Sequence, residues 1–61
     1  MRNWLKDKRT KKDLSMKAIA DSAKISECYY SKIENGTRNP SVKVAKKIAK
    51  VLNFSWQKFF E

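Results

Sequence analysis

Two short segments that both read as helix lie only two residues apart, and no other feature constrains the chain as much. The first follows Ser15: Met16, Ile19, Ala20 and Ala23 recur at i, i+3, i+4 and i+7, the mark of one apolar helical face, with Lys17, Asp21 and Ser22 opposite. The second runs from Ser26 to Gly36, SECYYSKIENG. Ser15 and Ser26 are both good N-caps, because a serine hydroxyl accepts from an orphan N–H of the first helical turn. Asn35-Gly36 is a good stop, because glycine enters the left-handed region at little cost. Between Ala23 and Ser26 stand only Lys24 and Ile25. So short a link forces a tight corner, which Ile25 is expected to plug. Neither segment is long enough to persist as a helix alone in water. Each must bury one face against other elements and leave the other free.

At about 100° per residue, the second segment puts Tyr30 and Ile33 on one side and Cys28, Ser31, Lys32 and Asn35 on the other. Glu27 and Tyr29 flank the polar side. Upstream, Met1, Trp4, Leu5 and Lys8 keep helical spacing, which predicts a helix from Met1 to about Lys11, while Thr10 to Asp13 lacks periodicity and reads as a connection. The aliphatic stem of Lys8 can cover apolar surface there. Downstream, Thr37-Arg38-Asn39-Pro40 is a polar loop, and Pro40 disfavours helix at Asn39. Ser41 then caps a helix whose Val42, Ala45, Ile48, Ala49 and Leu52 form an apolar stripe. Lys43 lies largely off that stripe, and so do Lys46, Lys47 and Lys50, which are expected to be a solvated face. Asn53 stops that helix. Ser55 is expected to cap a last short helix with Trp56, Phe59 and Phe60 on one aromatic side. No strand pattern or repeat is visible. The expected architecture is all-α: one domain over residues 1–61, with five short helices round one core and a helix-turn-helix outline at the tight corner.

Composition narrows the function. A chain of 61 residues buries only about 60% of its unfolded surface. No apolar run approaches the roughly 20 residues of a membrane span. Arg2 and Lys6 are not followed by the apolar stretch of a signal peptide, so a cytoplasmic protein is expected. One cysteine excludes an intramolecular disulfide, and one cysteine with no histidine argues against structural zinc, so neither metal nor cofactor is expected. A net charge of +9, from 15 Lys and Arg against 6 Asp and Glu, biases the chain towards an anionic partner. Charge alone leaves nucleic acid, acidic lipid and a merely basic surface open. The several capped short helices argue against a basic amphipathic membrane helix. The lack of histidine, of a phosphate-cradling glycine loop and of a nucleophile beside a base argues against an enzyme, and no catalytic residue is assigned.

Laid out this way, the chain resembles the Cro and lambda-repressor-like, or XRE-type, helix-turn-helix family. The carrying residues are Leu14-Ser15, Ile19-Ala20, Ile25-Ser26, Ile33-Glu34-Asn35-Gly36, Arg38-Asn39-Pro40-Ser41 and Ile48-Ala49-Lys50 with Leu52, joined by Arg9. The resemblance covers nearly the whole chain. It implies sequence-specific binding of double-stranded DNA by a transcriptional regulator, of phage or mobile-element repressor type, on a palindromic operator. An antitoxin that binds a protein partner and regulates its own gene is the rival reading, on the same fold. There are departures from the family pattern: Met16 stands where Gln or Thr is common, Lys24 and Asp13 where glycine is common, and Tyr30 where a smaller aliphatic is usual.

Base reading needs side chains that enter the major groove from the first turns of the recognition helix. Here these are Glu27, Cys28 and Lys32, with Ser31 nearby. Glutamate can accept from cytosine N4, lysine can donate to guanine, and a small thiol can pack on a thymine methyl. Against these stand a favourable charge at a helix N-terminus for Glu27 and a small tolerated residue for Cys28. Phosphate contacts are expected from Lys17, Ser26, Tyr29, Asn35, Thr37, Arg38 and Asn39. For Tyr29, core packing stays equally open; Met16 is expected to pack on the core. The resemblance implies an ion pair between Arg9 and Glu34, with Arg9 open to sharing with a phosphate. Trp56, Phe59 and Phe60 either complete the core or form a small two-fold dimer contact. A weak homodimer, or one formed only on DNA, is expected.

Overall fold

A computed structural model describes residues 2–61. Its four α-helices are α1 (Asn3–Lys11), α2 (Met16–Ala23), α3 (Glu27–Asn35) and α4 (Val42–Leu52), and a 3-10 turn follows over Trp56–Phe60. No strand occurs among the described residues.

Three of the helices share one local grammar. Ser15, Ser26 and Ser41 sit in extended conformation and accept from the N–H groups of Ala18, Tyr29 and Val44. Each helix then closes on a left-handed residue: Lys24 at φ 58°, Gly36 at φ 87° and Asn53 at φ 58°. After the corner residue Lys24, Ile25 N–H donates to Ala20 O at 2.9 Å, and the Ile25 side chain packs against the core. Phe54 N–H donates to Ala49 O in the same way after Asn53. These bonds use carbonyls that would otherwise be orphaned at the helix ends.

α1 is built differently. Its cap residue, Arg2, makes no side-chain cap, and Leu5 is its one buried residue. Its start lies at Asn3 rather than at Met1, which falls outside the described residues, and its end takes in Thr10 and Lys11. Lys8, Arg9 and Lys11 near its end interact favourably with the helix dipole. What holds α1 is tertiary: Leu5 joins Ile19, Ala20, Ala23, Tyr30, Ile33, Ala45, Ile48, Leu52 and Phe59 in one buried cluster.

The C-terminal segment corrects two expectations. It is a 3-10 turn, and the Ser55 hydroxyl makes no helix cap; its proton goes to Gln57 Oε1. Its aromatics do not share one side: Phe59 is buried, Trp56 half-buried and Phe60 exposed. At about 120° per residue, the 3-10 turn carries position 60 a third of a circle away from positions 56 and 59, where an α-helix would keep all three on one face. Phe59 packs with Trp4 and Phe54 in a three-ring cluster with centroids 5.3–5.5 Å apart. Lys8 and Lys58 lie over the rings of Phe54 and Trp4. No helix among the described residues is long and apolar enough to cross a membrane.

Candidate nucleic-acid interface

The two faces of α3 have separate fates. Tyr30, Ile33 and Glu34 are buried, whereas Glu27, Cys28 and Lys32 are exposed and Ser31 is half-buried. The exposed side chains stand on the first two turns, beyond a cap whose Ser26 oxygen already accepts from Tyr29 N at 3.1 Å. The Ser26 hydroxyl therefore keeps its proton as a free donor. Lys17 is exposed on the first turn of α2. Met16 is half-buried and packs on the core.

Behind that face, α3 is bolted to α1. Arg9 Nε and Nη2 donate to the two carboxylate oxygens of Glu34 at 3.0 and 3.1 Å, a bidentate pair with side-chain exposures of 13% and 5%. Arg9 Nη1 donates to Leu14 O at 3.0 Å, so all three nitrogens of Arg9 are engaged within the protein. Its bonds to Glu34 raise the Arg9 pKa above an already high ordinary value. Among the described residues, Glu34 is the one buried charged side chain. The Tyr30 hydroxyl is buried beside this pair without reaching hydrogen-bond geometry to a partner. Burial, and after it the Glu34 carboxylate, hold the Tyr30 phenol well above its ordinary value.

The loop after α3 is wound onto the helix end. Lys32 O accepts from the N–H groups of Gly36, Thr37 and Arg38 at 3.0, 3.0 and 3.2 Å, and from the Thr37 hydroxyl at 3.2 Å. Those three amides point inward, which leaves side chains as the outward donors of residues 36–38. The Arg38 guanidinium lies 5.6 Å from the ring centre of Tyr29, a ring that is half-buried against the core. The structure thus brings Tyr29 together with Arg38, and Lys32 with Thr37. Asn35 and Asn39 are exposed. Trp56 and Phe60 pair with each other at 6.0 Å, with Lys46 over the Trp56 ring, and make no contact of this kind with α3.

Arg2 is the residue near this surface that periodicity could not find. Its side chain reaches Ile33 O, Arg38 O and Asn39 Oδ1. An isolated arginine ahead of a helix carries no pattern, and its partners lie 31 to 37 positions away.

Comparison with known proteins agrees with this geometry. The helix-turn-helix family matches residues 5–59. The uncharacterized HTH-type transcriptional regulator YqaF of Bacillus subtilis (strain 168) is 51% identical over 61 residues, covering 100% of this chain and 80% of that protein. The N-terminal DNA binding domain of SinR from Bacillus subtilis has a TM-score of 0.84 at 28% identity, covering 97% of this chain and 87% of the other.

Proposed function

Because the chain belongs to the Cro and lambda-repressor-like, XRE-type helix-turn-helix family, we propose that it acts as a repressor that places α3 in the major groove of a palindromic operator. The family is one of DNA-binding transcriptional regulators and not of enzymes. The observation that supports the finer reading is the division of α3, with Glu27, Cys28 and Lys32 free at its head and Tyr30, Ile33 and Glu34 locked into the core. Glu27 and Lys32 supply an acceptor and a donor for base edges, and Cys28 a small apolar contact, with Ser31 at the margin. Lys17, Ser26, Tyr29, Asn35, Thr37, Arg38 and Asn39 hold the sugar–phosphate backbone. Such contacts fix register and orientation without reading sequence. Two copies sit on the two half-sites of a phage or mobile-element operator.

The test is a titration of selected duplexes at several salt concentrations. A preferred site is expected, and Lys32→Ala should flatten preference at one base pair by about 1–3 kcal/mol. Arg38→Ala should weaken all duplexes alike and reduce the salt slope by about 1. A steep salt slope with no preference among sequences would reduce the activity to nonspecific attraction. An intact base preference in Lys32→Ala would remove that residue from the reading set.

A further inference from the structure

Arg2 makes more long-range hydrogen bonds than its place at the edge of α1 requires. Its backbone N–H donates to Glu34 O at 2.8 Å. Its guanidinium Nη1 donates to Ile33 O and, at 3.3 Å, to Arg38 O, while Nη2 donates to Asn39 Oδ1 at 2.6 Å. The guanidinium carbon lies 5.7 Å from the centre of the Phe59 ring. One side chain therefore spans the last turn of α3, the loop that follows it and the aromatic cluster. The backbone amides of Gly36, Thr37 and Arg38 are all spent on Lys32 O, so over these three residues the loop can hold a phosphate only through side chains. Side-chain donors bind well when they are ordered in advance. With its oxygen taken by Arg2, the exposed Asn39 amide presents its two N–H donors elsewhere. Arg2 itself is half-buried and its fork is already committed to three acceptors.

We propose that Arg2 is a positioning residue for DNA-backbone binding: it orders the loop at Arg38 and Asn39 so that their side chains meet the phosphates, and touches neither phosphate nor base. This rests on the reading that the loop follows the DNA backbone.

Affinity for the preferred duplex and for a scrambled one is measured for the wild type, Arg2→Gln, Arg2→Lys and the Arg38→Ala/Asn39→Ala double variant with and without Arg2→Gln. Each titration is run well below that variant's own melting midpoint, fixed by circular dichroism. Arg2→Gln should weaken both duplexes about tenfold and leave their ratio unchanged. Arg2→Lys should also weaken both, because an ammonium lacks the planar fork, and it carries the test if Arg2→Gln does not fold. In the Arg38→Ala/Asn39→Ala background, Arg2→Gln should cost less than about twofold, since a positioning residue has nothing left to position. Wild-type affinity in folded Arg2→Gln and Arg2→Lys would overturn the proposal. So would an undiminished cost of Arg2→Gln in the double-variant background, which would make Arg2 a phosphate contact itself. If the Arg38→Ala/Asn39→Ala variant binds like the wild type, the backbone reading of the loop fails first, and the Arg2 role falls with it.

Discussion

Lys24 closes α2 at φ 58°, ψ 43°, in a region that costs a residue with a Cβ roughly 1–2 kcal/mol. Asp13 and Asn53 have the same sign of φ, but Asp and Asn enter that region far more readily than lysine does. The corner is kept because Lys24 N–H and Ile25 N–H close the end of α2 on Asp21 O and Ala20 O. Lys24→Gly should therefore raise stability by about 1 kcal/mol, read as a higher melting midpoint. A lower midpoint would show that the Lys24 side chain stabilises the fold by more than its backbone strain costs. Tyr30 gives a second prediction at this scale. Its hydroxyl is buried without a partner, so Tyr30→Phe should be neutral or stabilising by up to about 1 kcal/mol. The phenol is held above its ordinary pKa, so the folded state keeps a proton that the unfolded chain gives up above pH of about 10. The Tyr30 contribution is thus complete below that pH and is lost as pH rises towards the folded value, by about 1.4 kcal/mol per pH unit. Tyr30→Phe should flatten the alkaline limb of a denaturation series; an unchanged limb would place the phenol in water. The serine caps were legible in the sequence because a capping hydroxyl acts within three residues. The left-handed Lys24 was not, since lysine has no preference for that conformation, and only the family pattern marked the position.

Elements differ in how they are held, and so in how they fail. α2, α3 and α4 each carry their own cap and stop, whereas α1 has no side-chain cap and one buried residue. Its attachment depends on Leu5, on Arg2 and on the Arg9–Glu34 pair. Removing one partner of such a pair leaves the other charge uncompensated, at a cost of about 3 kcal/mol. Glu34→Ala should lower the denaturation midpoint and weaken DNA binding together, because α1 and the tail of α3 loosen at once. Unchanged stability would mean that Arg9 finds an equal partner elsewhere. The same difference explains what could be read in advance. α2 to α4 were legible from periodicity and punctuation. The 3-10 turn at Trp56–Phe60 was not, because its shape follows the packing of Phe59 against Trp4 and Phe54, and Phe54 belongs to no apolar stripe. In the candidate interface the exposed head of α3 was legible as a polar face, but the Arg2 clamp was not, since it exists only once the chain has folded.

The molecule measures 25 × 21 × 20 Å between its extremes. Half-sites one turn of DNA apart lie about 34 Å centre to centre, so two copies on the proposed operator could meet only at their edges. Phe60, 49% exposed and stacked edge-on against Trp56, is an apolar side chain suited to such a contact. Phe60→Ser should change stability by less than about 1 kcal/mol, yet reduce cooperative filling of paired half-sites in a titration. Equal cooperativity in both proteins would take the aromatic edge out of the dimer contact. The division of α3 has a last consequence, at the scale of descent. Glu27, Cys28 and Lys32 are exposed, so substituting them leaves the buried residues of the same helix untouched. Under the proposed assignment, target choice and foldability are inherited through different residues. A lineage can then acquire a new operator by exchanging a few surface side chains, and sister repressors in one cell can become mutually blind while sharing one scaffold.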